Sequence, residues 1–271
     1  MSDVTYQNLT YRLPEIEHRY GPSVHILSDP VLLSHVGLLA ARTTQQPLVN
    51  RLVTNIYYEL IRAVVNAEFP RKRVRIDSRM IEHNPRGFYD GEIVDATTRV
   101  VTVDIARAGT LPSQICFDTL NGLLDPTGVR QDHFIMARTT DEAQHVIGAN
   151  ISGSKIGGDI RGRIVLFPDP MGATGSSLST AIRVYKDQYG GGAQKMITIN
   201  IIVTPEYIRR MQNDHPDVLV YAVRLDRGLS DDDVLASVPG THWDRERGLN
   251  EHQYIVPGGG GLGEVMNNAY C

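Results

Sequence analysis

Residues 164–177 read IVLFPDPMGATGSS: an apolar run of strand length, an aspartate, then a loop of small and hydroxylated residues leading into a helical pattern at Leu178–Lys186. Small residues at such a junction let backbone N–H groups converge on an anion, and the dipole of the following helix adds attraction. Thr174, Ser176 and Ser177 supply hydroxyl donors. Asp169, at the strand end, suits the two hydroxyls of a ribose, so the order of acid and then loop predicts a sugar-phosphate site. Its competitor is an ordinary strand-to-helix turn capped by a hydroxyl.

Working outward, apolar residues at Leu48, Leu52, Ile56, Leu60, Ile61, Val64 and Val65 recur at three- and four-residue steps and predict a packed helix within 47–69. Strands are expected at 71–77, 93–109, 164–167, 196–203 and 218–225, and helices at 112–123, 178–186 and 205–214. Alternation of this kind favours a parallel sheet covered on both faces, with ligands outside the carboxyl ends of its strands. The chain reads as a single domain over 1–271, with an N-terminal extension at 1–25.

The composition is that of a globular chain, 41% hydrophobic and 21% charged over 271 residues, with a formal charge of −4. That charge provides no global attraction to nucleic acid or to an anionic membrane, so neither is an expected partner. The most apolar run, VLLSHVGLLAA at 31–41, is shorter than the roughly 18 residues of a membrane span and predicts a buried helical segment. Two cysteines, Cys116 and Cys271, suggest neither a disulfide framework nor a metal cluster and fit a reducing cytoplasm. Two glycine patterns are set aside. GANISGSK at 148–155 has the serine and lysine of a phosphate-binding loop in reversed order, and the GxGxxG of Gly258, Gly260 and Gly263 leaves no room for a following βαβ unit.

Several motifs, in order, resemble the uracil phosphoribosyltransferases. DPMGATGSS at 169–177 parallels the family's DPMLATGGS, and YIVPGGGGLGE at 254–264 parallels YIIPGLGDAGD. ARAG at 106–109, MAR at 136–138, HPDV at 215–218 and GLNEHQYIVPG at 248–258 add to the match. The resemblance implies a type I phosphoribosyltransferase fold, an α/β architecture whose mainly parallel sheet is flanked by helices and topped by a small C-terminal hood. It implies transfer of ribose 5-phosphate from phosphoribosyl pyrophosphate (PRPP) to uracil, giving uridine monophosphate and pyrophosphate in pyrimidine salvage. Mg2+ would be bound through the diphosphate, without metal-ligating side chains of the protein. A GTP effector and a homodimer or higher homo-oligomer are implied as well.

Carried over position by position, the resemblance makes Asp169, Arg107 and Arg138 the catalytic group. The donor PRPP would be held by Arg107, Arg138, Asp169, Pro170, Met171, Gly172, Ala173, Thr174, Gly175, Ser176, Ser177 and Gly261. Uracil would meet Ile255, Gly260, Gly261 and Leu262, largely through backbone, because two carbonyls and an N–H can be paired by a peptide loop. Arginine suits the pyrophosphate by its fixed fork of donors.

The chain departs from the family at Gly261, which stands where the first aspartate of GLGDAGD is expected, and at Glu264, which takes the place of the second. The segment 150–154, read as a loop before Lys155, lacks the family's aromatic. SDDDVLASVPGTHWDRER at 230–247 reads as an insertion, with a helix start at Asp231–Asp233 and Trp243 as its packing anchor. His242 and His252 read as surface or supporting residues. Two alternatives stay open: a PRPP-dependent transferase for another nucleobase, motivated by Gly261, and a non-catalytic nucleotide- or RNA-binding regulator, supported only by the basic stretch Arg71–Arg79. That stretch reads more readily as a solvated strand edge.

Overall fold

Helix and strand boundaries follow from where apolar periodicity meets capping and turn residues. In the computed structural model, which describes residues 3–140, 146–189 and 192–269 with backbone alone at 137–140 and 146–149, the strands are β1 (Val24–Ile26), β2 (Arg71–Asp77), β3 (Phe88–Val94), β4 (Val100–Ala106), β5 (Val129–Thr140), β6 (Val146–Lys155), β7 (Ile164–Pro168), β8 (Met171–Gly172), β9 (Lys195–Val203) and β10 (Val218–Leu225). The helices are α1 (Pro30–Leu39), α2 (Leu48–Glu68), α3 (Thr110–Asn121), α4 (Ser176–Gln188), α5 (Pro205–Asp214), α6 (Asp232–Leu235) and α7 (Leu262–Val265). Eight strands form one sheet in the order β1-β10-β9-β7-β4-β5-β6, with β8 beside β9; β2 and β3 pair only with each other. Every pair in the large sheet is parallel except β5–β6.

The central strands β4 and β7 are buried almost throughout, as expected of parallel strands covered on both sides. On one side Val49, Leu52, Val53, Ile56, Leu60, Ile61 and Val64 of α2 pack with Ile115, Cys116 and Leu120 of α3 against Val100, Leu166, Ile197 and Ile199. On the other, Leu178, Ile182 and Tyr185 of α4 and Tyr207, Ile208 and Met211 of α5 cover Val101, Val103, Phe167 and Val203. Alternate residues of one strand thus serve opposite layers.

Helix α1 starts where the side chain of Asp29 accepts from the amides of Val31 and Leu32. Only one side of it is buried, through Leu32, Val36 and Leu39, whereas Val31 is 63% exposed. The run 31–41 therefore supplies a half-buried surface helix, which leaves Val31, Leu33 and Leu38 exposed, rather than a buried one. The single strand expected over 93–109 divides into the end of β3, a turn in which Asp95 accepts from the amide and hydroxyl of Thr97, and β4. An acidic side chain that bonds two residues ahead favours a turn over a continuous strand. The segment 150–154, expected as a loop, belongs to β6 and pairs antiparallel with β5.

The described residues of 1–25 join the sheet through β1, parallel to β10, and bury Tyr20. In 230–247, the fully buried carboxylate of Glu246 accepts from Arg227 Nη1 at 2.9 Å, from the Gly240 amide at 2.8 Å and from the Tyr20 hydroxyl. Arg227 also donates to the carbonyls of Val234, Leu235 and Ser237. Trp243 packs edge-on against Tyr20, with ring centroids 5.1 Å apart.

Candidate active site

Strands β7, β4 and β5 are neighbours in the sheet, so the chain leaving their carboxyl ends converges on one edge. Asp169 follows β7, Arg107 follows β4, and Arg138 lies on β5 three residues past Ile135, the register partner of Ala106. The Arg138 backbone pairs with Ala149; its side chain lies outside the described residues.

The loop after β7 is sewn to β9. Asp169 donates its amide to Ile199 O at 3.1 Å and accepts at its carbonyl from Asn200 Nδ2 at 2.7 Å, while its carboxylate accepts the Met171 amide at 3.0 Å. The amides of Ile201 and Ile202 both donate to Pro170 O at 3.1 Å. The Thr204 hydroxyl holds Ala173 O at 2.7 Å, and the Thr204 amide holds Gly172 O at 3.1 Å. Beneath them the Tyr207 hydroxyl donates to Asn200 Oδ1 at 3.1 Å, its pKa pushed well up by burial and by the nearby charge of Asp169, so it stays a donor.

Gly175 begins α4 with φ +76°, and a Cβ there would meet Met211 Cε at 3.1 Å and Tyr207 Cδ2 at 3.2 Å. Only glycine meets both demands. The hydroxyls of Thr174 and Ser176 lie 3.1 Å apart beside this turn, and Ser177 follows in the first turn of α4. Backbone amides, hydroxyls and the start of a 13-residue helix therefore meet at one point, an arrangement suited to a phosphate.

The loop after β4 closes tightly onto this one. Gly109 donates to Ile105 O at 3.0 Å, and a Cβ on it would approach Ile105 O at 2.9 Å and Pro168 O at 3.1 Å. Arg107 projects outward, with Nη1 donating to Ala269 O at 3.2 Å. The C-terminal hood reaches the same loop, since a Cβ on Gly263 would stand 3.4 Å from Ala108 Cβ.

That hood is anchored at Gly258, whose amide donates to Asp226 Oδ2 at 2.7 Å and whose carbonyl accepts from Arg224 Nη2 at 2.9 Å. Arg224 and Asp226 are themselves paired at 2.6 Å, with the carboxylate almost fully buried. Ile255 and Leu262 turn their side chains into the core, at 7% and 2% exposure, so whatever they offer a ligand comes from backbone. Gly260, with φ +74°, has open space where a Cβ would be. At Gly261 a Cβ would stand 2.8 Å from Glu264 Oε2: the glutamate carboxylate occupies the space beside the residue that lacks one.

Asn200, Thr204, Tyr207, Arg224 and Asp226 escaped the sequence reading. A signal existed for Asn200, a lone amide inside the apolar strand KMITINIIV, because a buried polar side chain must have a partner. Among the described residues no group of three or more His, Cys, Asp or Glu side chains could hold a metal ion, and no helix is long and apolar enough to cross a membrane.

This mainly parallel sheet, flanked by helices and with its loops gathered under a hood, is the fold of the type I phosphoribosyltransferases. The AQ2163 protein of Aquifex aeolicus has a solved structure that superposes with a TM-score of 0.67 at 19% identity, covering 90% of this chain and 97% of that one. The uracil phosphoribosyltransferase family model matches residues 26–246, and the chain belongs to that family. A uracil phosphoribosyltransferase of Rhodococcus jostii is 26% identical over 249 residues, 90% of this chain and 97% of that protein. One from Caldanaerobacter subterraneus is 37% identical over 112 residues, which span 41% of this chain and 42% of the relative, under half its length. Family and fold together support a pentosyltransferase.

Proposed function

We propose that the chain transfers ribose 5-phosphate from PRPP to N1 of uracil, releasing pyrophosphate. The observation that carries this reading is the meeting of three parts at one sheet edge: the Asp169–Ser177 loop, the Arg107–Gly109 loop and the hood resting on Ala108. In the reading, Gly172–Ser177 hold the 5′-phosphate and Asp169 the ribose hydroxyls. Arg107 and Arg138 take the departing diphosphate, and the backbone of Gly260–Leu262 with Ile255 faces uracil. Displacement at the anomeric carbon builds positive charge on the sugar and negative charge on the diphosphate, so fixed arginines beside the leaving group stabilise the transition state.

Magnesium suits this donor set through the diphosphate, since Mg2+ keeps several waters and needs few protein carboxylates beside the phosphates of a substrate. It would neutralise charge on the leaving group. The same reading extends to pyrimidine salvage in the cytoplasm.

Pyrophosphate release is expected only when uracil, PRPP and magnesium are present together. Silence with uracil sinks the assignment. A second reading, another base on the same donor site, draws support from Gly261 with Glu264 folded beside it. A panel of purine and pyrimidine bases, each with PRPP, separates the two.

A further inference from the structure

Strand β4 carries one carboxylate among buried apolar residues. Asp104 is 5% exposed, between Val103 and Ile105. A lone buried carboxylate is costly, so its partners indicate what it is for. Thr110 Oγ1 donates to Asp104 Oδ1 at 3.0 Å, and His133 Nδ1 stands 2.9 Å from Asp104 Oδ2. The carboxylate can only accept, which places the His133 proton on Nδ1. His133 is the register partner of Asp104 on β5 and of Lys155 on β6, and its ring is partly open to solvent.

Thr110 is the first residue of α3, and its amide donates to Arg107 O at 3.1 Å. Through Thr110, Asp104 is therefore tied to the turn that carries Arg107. Both carboxylate oxygens already have donors, and the Arg107 guanidinium itself donates to Ala269 O.

We propose that Asp104 and His133 are positioning residues for the Arg107–Thr110 loop, acting through the Thr110 hydroxyl to hold Arg107 on the outer side of the sheet edge, where the leaving diphosphate is handled. The kinetic part of this proposal rests on the phosphoribosyl-transfer reading above; the structural part does not.

Two measurements on the intact chain test it. In the ligand-free protein, amide exchange over 107–110 is expected to quicken about tenfold in Thr110→Val and in His133→Ala, the scale of one hydrogen bond to a charged group, with the rest of the chain unchanged. In turnover, kcat/KM for PRPP is expected to fall about tenfold in both variants while KM for uracil holds, and Thr110→Ser, which keeps the hydroxyl, restores the donor value. Unchanged exchange at 107–110 overturns the proposal, as does an equal loss for both substrates. If the unaltered protein releases no pyrophosphate with any base, the transfer reading fails and the exchange experiment still decides the positioning role.

Discussion

Asp169 leaves β7 with its amide, carbonyl and one carboxylate oxygen all bonded to its own loop and to β9, so its side chain is oriented before any ligand arrives. Preorganised charge of this kind is worth most in the transition state. Asp169→Asn and Arg107→Ala are each expected to cut turnover by roughly a hundredfold or more while leaving thermal unfolding nearly unchanged, since both side chains sit at strand ends. Near-normal turnover in either variant would show that the assigned roles are wrong. Gly175 is a different case, because its left-handed backbone strains any side chain and its packing leaves a Cβ crowded by Met211 and Tyr207. Gly175→Ala should cost about 1–2 kcal/mol in denaturant unfolding from the left-handed backbone alone, before crowding by Met211 and Tyr207 is added. The same variant should raise KM for PRPP.

Among the elements, the segment 230–247 depends on one buried ion pair. Arg227 and Glu246 meet at 2.9 Å, with the glutamate fully buried and the arginine side chain 11% exposed. Removing one partner strands the other's charge, which costs about 3–5 kcal/mol when no relaxation follows. Glu246→Ala is therefore expected to lower the urea midpoint and to open 230–247 to proteolysis first; cleavage elsewhere before this segment would contradict it. The β2–β3 hairpin shows the opposite economy. Its arginines are matched at the surface, Arg73 bidentate to Asp90 at 2.8 and 2.9 Å and Arg71 near Glu92 at 4.0 Å. Such pairing leaves the basic stretch 71–79 less charge for RNA phosphates than its sequence suggests.

For the whole molecule, one contribution to acid stability lies at the junction where α2 ends against the sheet. Glu68 accepts from Lys195 on β9 at 2.7 Å and from the Tyr221 hydroxyl on β10. Burial alone would raise the Glu68 carboxyl; the bonds from Lys195 and Tyr221 outweigh it and hold the group below its ordinary value of 4.5. A carboxyl depressed by folding stabilises fully above its unfolded value and loses that contribution as pH falls through the folded one. Glu68→Gln should accordingly lower the melting temperature at pH 7 and flatten its fall below about pH 4.5. An unchanged slope in that window would remove Glu68 from the account.

How much of this could be read from the chain depends on the range of the interactions. The strand and loop at 164–177, the helix over 48–68 and the mainly parallel α/β class rest on local periodicity and motifs, and these are legible because caps, turns and amphipathic spacing act within a few residues. Strands β5 and β6 are not legible in this way, since β5 (VRQDHFIMARTT) mixes charged and apolar residues without a clean alternation and the edge strand β6 (VIGANISGSK) is interrupted by Gly and Ser. Asp104 with His133, Asn200 with Asp169, Asp226 with Gly258 and Glu264 over Gly261 are pairings that only the tertiary structure decided. A buried polar group announces that it needs a partner, but which partner it meets is set by sheet order and register, brought about by the packing of apolar faces far apart in the sequence.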